Sequence, residues 1–342
     1  MSFRPEFSHT VIKANGVRSL VWAGDSLVDW AAGGKIYHLD GSCQSAKISF
    51  GDQFDAAVST PSGEYAVIYT KLGTKGLLLR NGRLLRELNR SYYHADVYEY
   101  PICLVNRGER TFLVHCPDEY NKLEIEDALT GERLTSRSSP TSDFFHSRLS
   151  ASPDGKYLLS AGWVWQPWDA VVFYDLDLAL RDPQHLDSLD MSQPRSRNVC
   201  FAEEASACWQ TCANVIMTGG MEEEDPEEAV EANALRLRPK GIAVYDVQSR
   251  TLSAANVLST PAGLVMPVGL NHAIAFYRHP RLLRLSDGFV EFTIPTISSG
   301  EQLSSIIHHL PPLPPLALDR ENSRFAIAQP DGIHIVSVRV AP

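Results

Sequence analysis

The residues with the most chemical potential in this chain are aromatic. Trp163, Trp165 and Trp168 fall within six positions and are interrupted by Pro167. Two aromatic pairs precede them, Tyr92-Tyr93 and Phe144-Phe145, and each is followed by a histidine, His94 and His146. Three tryptophans at that spacing cannot all face a sheet core by simple alternation. Some of them are therefore expected at the surface, where Trp and Tyr dominate binding hot spots. Arg148 closes the same stretch and joins the candidate contact set. A second chemistry is written into the same segments. His94, Asp96, Asp143 and His146 would, if they met, provide nitrogen and carboxylate ligands for a metal-dependent hydrolysis.

An acidic run, Glu222-Glu223-Glu224-Asp225-Pro226-Glu227-Glu228, adds a third feature. Asp225 can cap a helix, Pro226 suits its first position and Glu228 stands where a capping-box acid belongs. The run predicts a short helical insertion at about 219–239, either a solvated excursion or a dock for a basic partner. His308-His309 has no third ligand nearby in sequence, and the prolines that follow, Pro311 to Pro315, read as a stiff connector. Cys43, Cys103, Cys116, Cys200, Cys208 and Cys212 are irregularly spaced and complete no zinc pattern, so free thiols in a reducing compartment are expected. There is no phosphate-binding glycine loop, Gly-x-Ser-x-Gly turn, His-Glu-x-x-His or calcium loop.

The elements that must carry these residues are strands. Short runs of β-branched, aromatic and aliphatic residues alternate with turn signals such as Asn81-Gly82, Ser152-Pro153-Asp154-Gly155 and Ser286-Asp287-Gly288, and long helical periodicity is scarce. The clearest unit runs from His146 to Leu176. It places His146 before a first strand, Pro153–Gly155 in a tight turn, Leu159-Ser160-Ala161-Gly162 in a small-residue second strand and Tyr174-Asp175 at the end of a third. In this order of features it resembles the WD40-like propeller repeats. The resemblance implies an all-β, seven-bladed β-propeller in which His146 is buried and hydrogen-bonded within its blade.

Six further strand sets extend the reading: 20–39, 55–88, 102–134, 198–257, 263–294 and 316–340, with first-hairpin turns near residues 24, 62, 108, 204, 270 and 321. The last set lacks an outer strand, and residues 9–14 are expected to supply it and close the ring into a single domain. In a propeller, blade-to-blade loops and second-to-third-strand loops share a face. The unusual segments all fall in such loops, so one elaborated face is expected to carry function.

With 342 residues, 44% of them hydrophobic, the chain can bury a substantial core. Its net charge of −10 argues against a nucleic-acid binder. It contains no apolar run of signal-peptide or membrane-span length, and a cytoplasmic location is expected. The leading expectation is a non-enzymatic, cofactor-free propeller, monomeric on its own, that binds a protein through one loop-rich face, with a basic partner favoured and an immunity or antitoxin-like role as one concrete version. The rival is a metal-dependent hydrolase similar to the lactonase-type propellers, using His94, Asp96, Asp143 and His146 at the channel mouth.

Overall fold

The computed structural model describes residues 4–138, 142–165, 168–187, 199–201, 205–220, 237–306 and 311–340. The acidic run at 222–228 and His308-His309 lie outside them. Among the described residues the chain forms seven antiparallel sheets in sequence order. The first blade comprises Val21–Ala23, Ser26–Asp29, Lys35–His38 and Cys43–Gln44, and the second Ala56–Ser59, Tyr65–Tyr69, Lys75–Arg80 and Arg83–Asn89. The third has Ile102–Arg107, Arg110–His115 and Glu124–Asp127. The fourth has Leu149–Ala151, Tyr157–Val164, Trp168–Asp175 and Val199–Phe201, and the fifth Ala205–Trp209, Asn214–Gly219, Gly241–Asp246 and Thr251–Val257. Val265–Val268, His272–Ala275, Arg281–Arg284 and Val290–Thr293 form the sixth, and Leu316–Asp319, Arg324–Gln329 and Gly332–Arg339 the seventh.

The ring closes as the sequence predicts. Glu6–Ile12 pairs antiparallel with Gly332–Arg339 and becomes the outer strand of the seventh blade. Hydrophobic clusters account for the whole circle. Each lies between two neighbouring blades: one and two, two and three, three and four, four and five, five and six, six and seven, and seven and one. Each blade therefore has apolar residues on both faces buried against its neighbours, the arrangement that lets short strands form a stable fold without an open sheet edge.

Local turn chemistry explains why the registers were readable. Asn81 and Gly82 both hold positive φ (50° and 72°) and join two strands of the second blade in a two-residue turn. Ser152 Oγ donates to Asp154 Oδ1 at 2.6 Å, and the Tyr157 amide donates to Ser152 Oγ at 2.9 Å, fixing the turn of the clearest repeat.

The third blade has three strands where each other blade has four. Asp127 accepts the Leu129 and Thr130 amides, the chain turns sharply, and only a single bridge, Glu126 with Arg133, stands where an outer strand would form. The first hairpin of the fifth blade turns between Trp209 and Asn214, not near residue 204. The segment around Cys200 is instead the outer strand of the fourth blade. A six-residue helix, Leu176–Arg181, intervenes before that strand and was not predicted. Asp175 caps it by accepting the amides of Asp177 and Leu178.

Candidate functional site

An eighth hydrophobic cluster lies outside the circle of seven. Tyr98, Phe145 and Trp163 form its buried centre, with Val97, Tyr120 and Ile306 packed against it. Its members come from the loop between blades two and three, the second-to-third-strand loop of blade three, the approach to blade four, the far end of that blade's second strand and the connection between blades six and seven. These are the loops expected to share one face.

The cluster is built around a backbone bridge. The Phe145 amide donates to the Trp163 carbonyl at 2.8 Å, and the Trp163 amide donates back at 3.1 Å. The two rings stack 3.9 Å apart at 12°. Gly162 makes this possible, because a Cβ there would lie 2.0 Å from the Phe145 carbonyl oxygen. Tyr120 stacks on Phe145 at 4.3 Å, and Tyr98 meets it edge-on at 5.6 Å. Above this base lie two exposed rings, Tyr93 at 45% and Trp165 at 44%, and Tyr92, the residue before Tyr93, is 82% exposed. Tyr93 lies 5.9 Å from Phe145 and 6.4 Å from Trp165, while His94 lies 5.0 Å from Trp165.

The predicted contact residues therefore divide. Tyr92, Tyr93 and Trp165 are on the surface. Phe144, Phe145 and Trp163 are buried, so their assignment as contact residues is corrected: Phe145 and Trp163 support the exposed rings from below, and Phe144 packs between blades three and four. Trp163 belongs to an eight-residue strand, and Trp168 opens the next one, paired with Val164. Arg148 is also corrected. It holds φ at 43°, and its guanidinium reaches inward to the Ala161 carbonyl (3.3 Å), Ser206 Oγ (3.1 Å) and the Asp169 carboxylate (3.6 Å). Burial lowers its pKa from the ordinary arginine value, with Asp169 opposing the shift. Glu222, Glu223, Glu224 and Asp225 lie outside the described residues.

His94, Asp96, Asp143 and His146 are not brought together as a ligand set. Among the described residues, no three His, Cys, Asp or Glu side chains are arranged to hold a metal ion. His146 is fully buried; its Nδ1 lies 3.2 Å from Ser160 Oγ, and desolvation drives its pKa down to about 3. It pins the blade as the repeat resemblance implies. Asp143 is exposed and accepts the Tyr120 hydroxyl at 2.5 Å. Asp96 is exposed on the loop between blades two and three, and His94 lies against Trp165 and Tyr93. The similar Tyr-Tyr-His and Phe-Phe-His segments are not structurally equivalent. One folds outward before blade three, with His94 at φ 51°, and the other is built into blade four.

Two organising residues carried no sequence signal. Arg90 is buried and donates to the carbonyls of Gly73, Lys71, Ala95 and Tyr98, and its guanidinium lies 4.6 Å over Tyr98 and 4.9 Å over Tyr100. It ties down the loop that presents Tyr92, Tyr93 and His94. Asp169, fully buried, accepts the Ser305 amide at 2.9 Å and the hydroxyls of Ser304 and Ser305. It draws the connection between blades six and seven over to blade four, where Ile306 bridges Tyr98. Neither partner set is close in sequence, so only the folded chain reveals them.

The fold defines a seven-bladed β-propeller, its ring closed by the first strand. No protein-family model matches the chain, and no curated protein does. Solved structures do match, 1007 chains in all, too many for the fold to select a function. One is in the crystal structure of the mitotic checkpoint complex; the match covers 99% of this chain and 92% of that one, with a TM-score of 0.58 and 12% identity. At that identity the likeness shows the fold alone. No helix among the described residues is long and apolar enough to cross a membrane.

Proposed function

We propose that this chain is a non-enzymatic, protein-binding propeller acting through the loop face of blades two to four. The observation that carries the reading is the eighth cluster, with Tyr93 and Trp165 exposed above it and Tyr92 exposed next to Tyr93 in the chain. The seven inter-blade clusters already account for the fold. An additional stack of rings that keeps two large aromatics in water has the composition of a binding hot spot: rigid, amphipathic side chains with little rotamer entropy left to lose. The structural neighbour in a multiprotein complex fits a protein partner. The net charge of −10 favours a basic one. In this reading the protein is cytoplasmic, monomeric until it meets its partner, and suited to an immunity or antitoxin-like role that blocks a toxic protein.

The test is crosslinking and affinity capture from the native cell, comparing the wild type with Trp165→Ala, Tyr93→Ala and a deletion of residues 222–231. A partner retained by the wild type and lost by the two aromatic variants, with circular dichroism unchanged, supports the proposal. Capture that is indifferent to all three changes refutes it.

A further inference from the structure

We propose that the exposed rings of this face receive an arginine side chain presented by the partner. The inference rests on the protein-binding reading above and adds what that surface selects.

The first support is the shape of the platform. The Trp165 ring stands at 77° to Tyr93 and 83° to His94, so the rings form a corner rather than a flat patch. Aromatic faces carry negative potential, and a planar cation laid on one wall of such a corner is attracted to it. The second is charge next to the rings. The Asp143 carboxylate is exposed and joined through the Tyr120 hydroxyl to a ring 4.8 Å from Tyr93. Asp96 and Glu119 are exposed on two of the same loops. Burial, reinforced by Asp143, raises the Tyr120 pKa above its ordinary value, so the phenol remains a donor to the carboxylate beside it.

The third support is the chain's own use of the same chemistry. In the seventh blade the Arg324 guanidinium lies 4.1 Å over Trp22, held by Asp319 at 2.7 Å and Asp25 at 3.0 Å. Arg90 lies over Tyr98 and Tyr100. Those ring sets are filled internally. Among the described residues, no Lys or Arg lies over Tyr92, Tyr93, Tyr120 or Trp165. The exposed rings and carboxylates repeat the arrangement with the cation left for the partner to supply. Arginine fits better than lysine because its flat, weakly hydrated guanidinium stacks on a ring while its edge donates two parallel hydrogen bonds to a carboxylate.

Calorimetry on the full chain with three uncharged-backbone probes tests this: alternating decapeptides of Arg-Gly, Lys-Gly and Gln-Gly. The Arg-Gly peptide is expected to bind about tenfold or more tighter than Gln-Gly, with Lys-Gly between them. Trp165→Ala and Asp143→Asn are each expected to erase most of that preference, and Trp165→Phe to keep part of it. Equal binding of Gln-Gly, Arg-Gly binding that ignores Trp165→Ala, or no binding of any peptide overturns the inference. The crosslinking experiment decides the parent reading separately. A Trp165-dependent partner whose crosslinked segment lacks arginine refutes the arginine and leaves the binding face standing.

Discussion

Replacing Arg90 with methionine tests whether the platform is held rigid from beneath. The methionine keeps apolar contact with Tyr98 and Tyr100 but removes every donor. In the wild type, Nε reaches the Gly73 carbonyl at 2.7 Å, and Nη2 reaches Ala95 at 2.7 Å, Tyr98 at 3.0 Å and Lys71 at 3.2 Å. Two of these are short. A charged hydrogen bond contributes about 1.5–3 kcal/mol, and the carbonyls left behind are in a buried region. Some of the loss is recovered, because the arginine itself no longer has to be desolvated, the effect that lowers its pKa in the folded chain. A net cost of about 2–4 kcal/mol is expected, because the groups left unpaired are neutral carbonyls and no charge is stranded. A domain stable by about 5–15 kcal/mol survives that loss. The damage should concentrate in the loop. Equilibrium urea unfolding gives the total, and amide exchange at Ala95 and Val97, which donate to the Tyr92 and His94 carbonyls, gives its location. Arg90→Lys should fall between the two, since one ammonium cannot span four carbonyls. If Arg90→Met shifts stability by less than about 0.5 kcal/mol and leaves both amides protected, Arg90 does not hold the loop and the argument for a preorganised platform collapses.

Two further predictions concern the scaffold. The folded-state pKa of His146 is lowered to about 3, so the contribution of its neutral form is complete above the unfolded value of 6.5 and is lost as pH falls toward 3. Stability measured between pH 7 and 4 should therefore decline with acid, and His146→Gln should remove up to about 1.4 kcal/mol per pH unit from that slope; an unchanged slope would mean that His146 is not held neutral. A methyl at Gly332 would lie 2.3 Å from the Ile12 carbonyl oxygen in the ring-closing pair, so Gly332→Ala should loosen Glu6–Ile12 at a cost of about 2–4 kcal/mol. Limited proteolysis near residue 12 reads this directly, and equal resistance in variant and wild type would refute it.

Sequence legibility follows the range of the interactions. Blades with strong turn chemistry, Asn81-Gly82 or Ser152 to Gly155, could be placed because the signal is local. The fifth was misplaced because its first hairpin turns through Gln210-Thr211-Cys212-Ala213, without glycine or proline. The strand at Val199–Phe201 belongs to the blade before it, across a helix with no strong sequence signature. The aromatic segments could be picked out in the sequence, but which of their rings are buried and which exposed could not. Whether Phe145 or Tyr93 faces water depends on the bridge between Phe145 and Trp163, a tertiary fact. Tyr98, Tyr120 and Ile306 were missed for the same reason: each contributes one side chain to a cluster whose other members are distant in sequence.

The closing pair also sets the order of events at the ribosome. His9 Nε2 and His334 Nδ1 lie 3.0 Å apart across 325 positions of chain. At about 5–20 residues per second, synthesis leaves the first strand without its mate for roughly 15–65 seconds. Six blades can collapse one against the next as they emerge, but the seventh remains an unfinished sheet throughout. The nascent protein therefore carries an exposed edge until Gly332–Arg339 has been made. Substitutions in either closing strand should act on the yield of native protein as strongly as on its final stability.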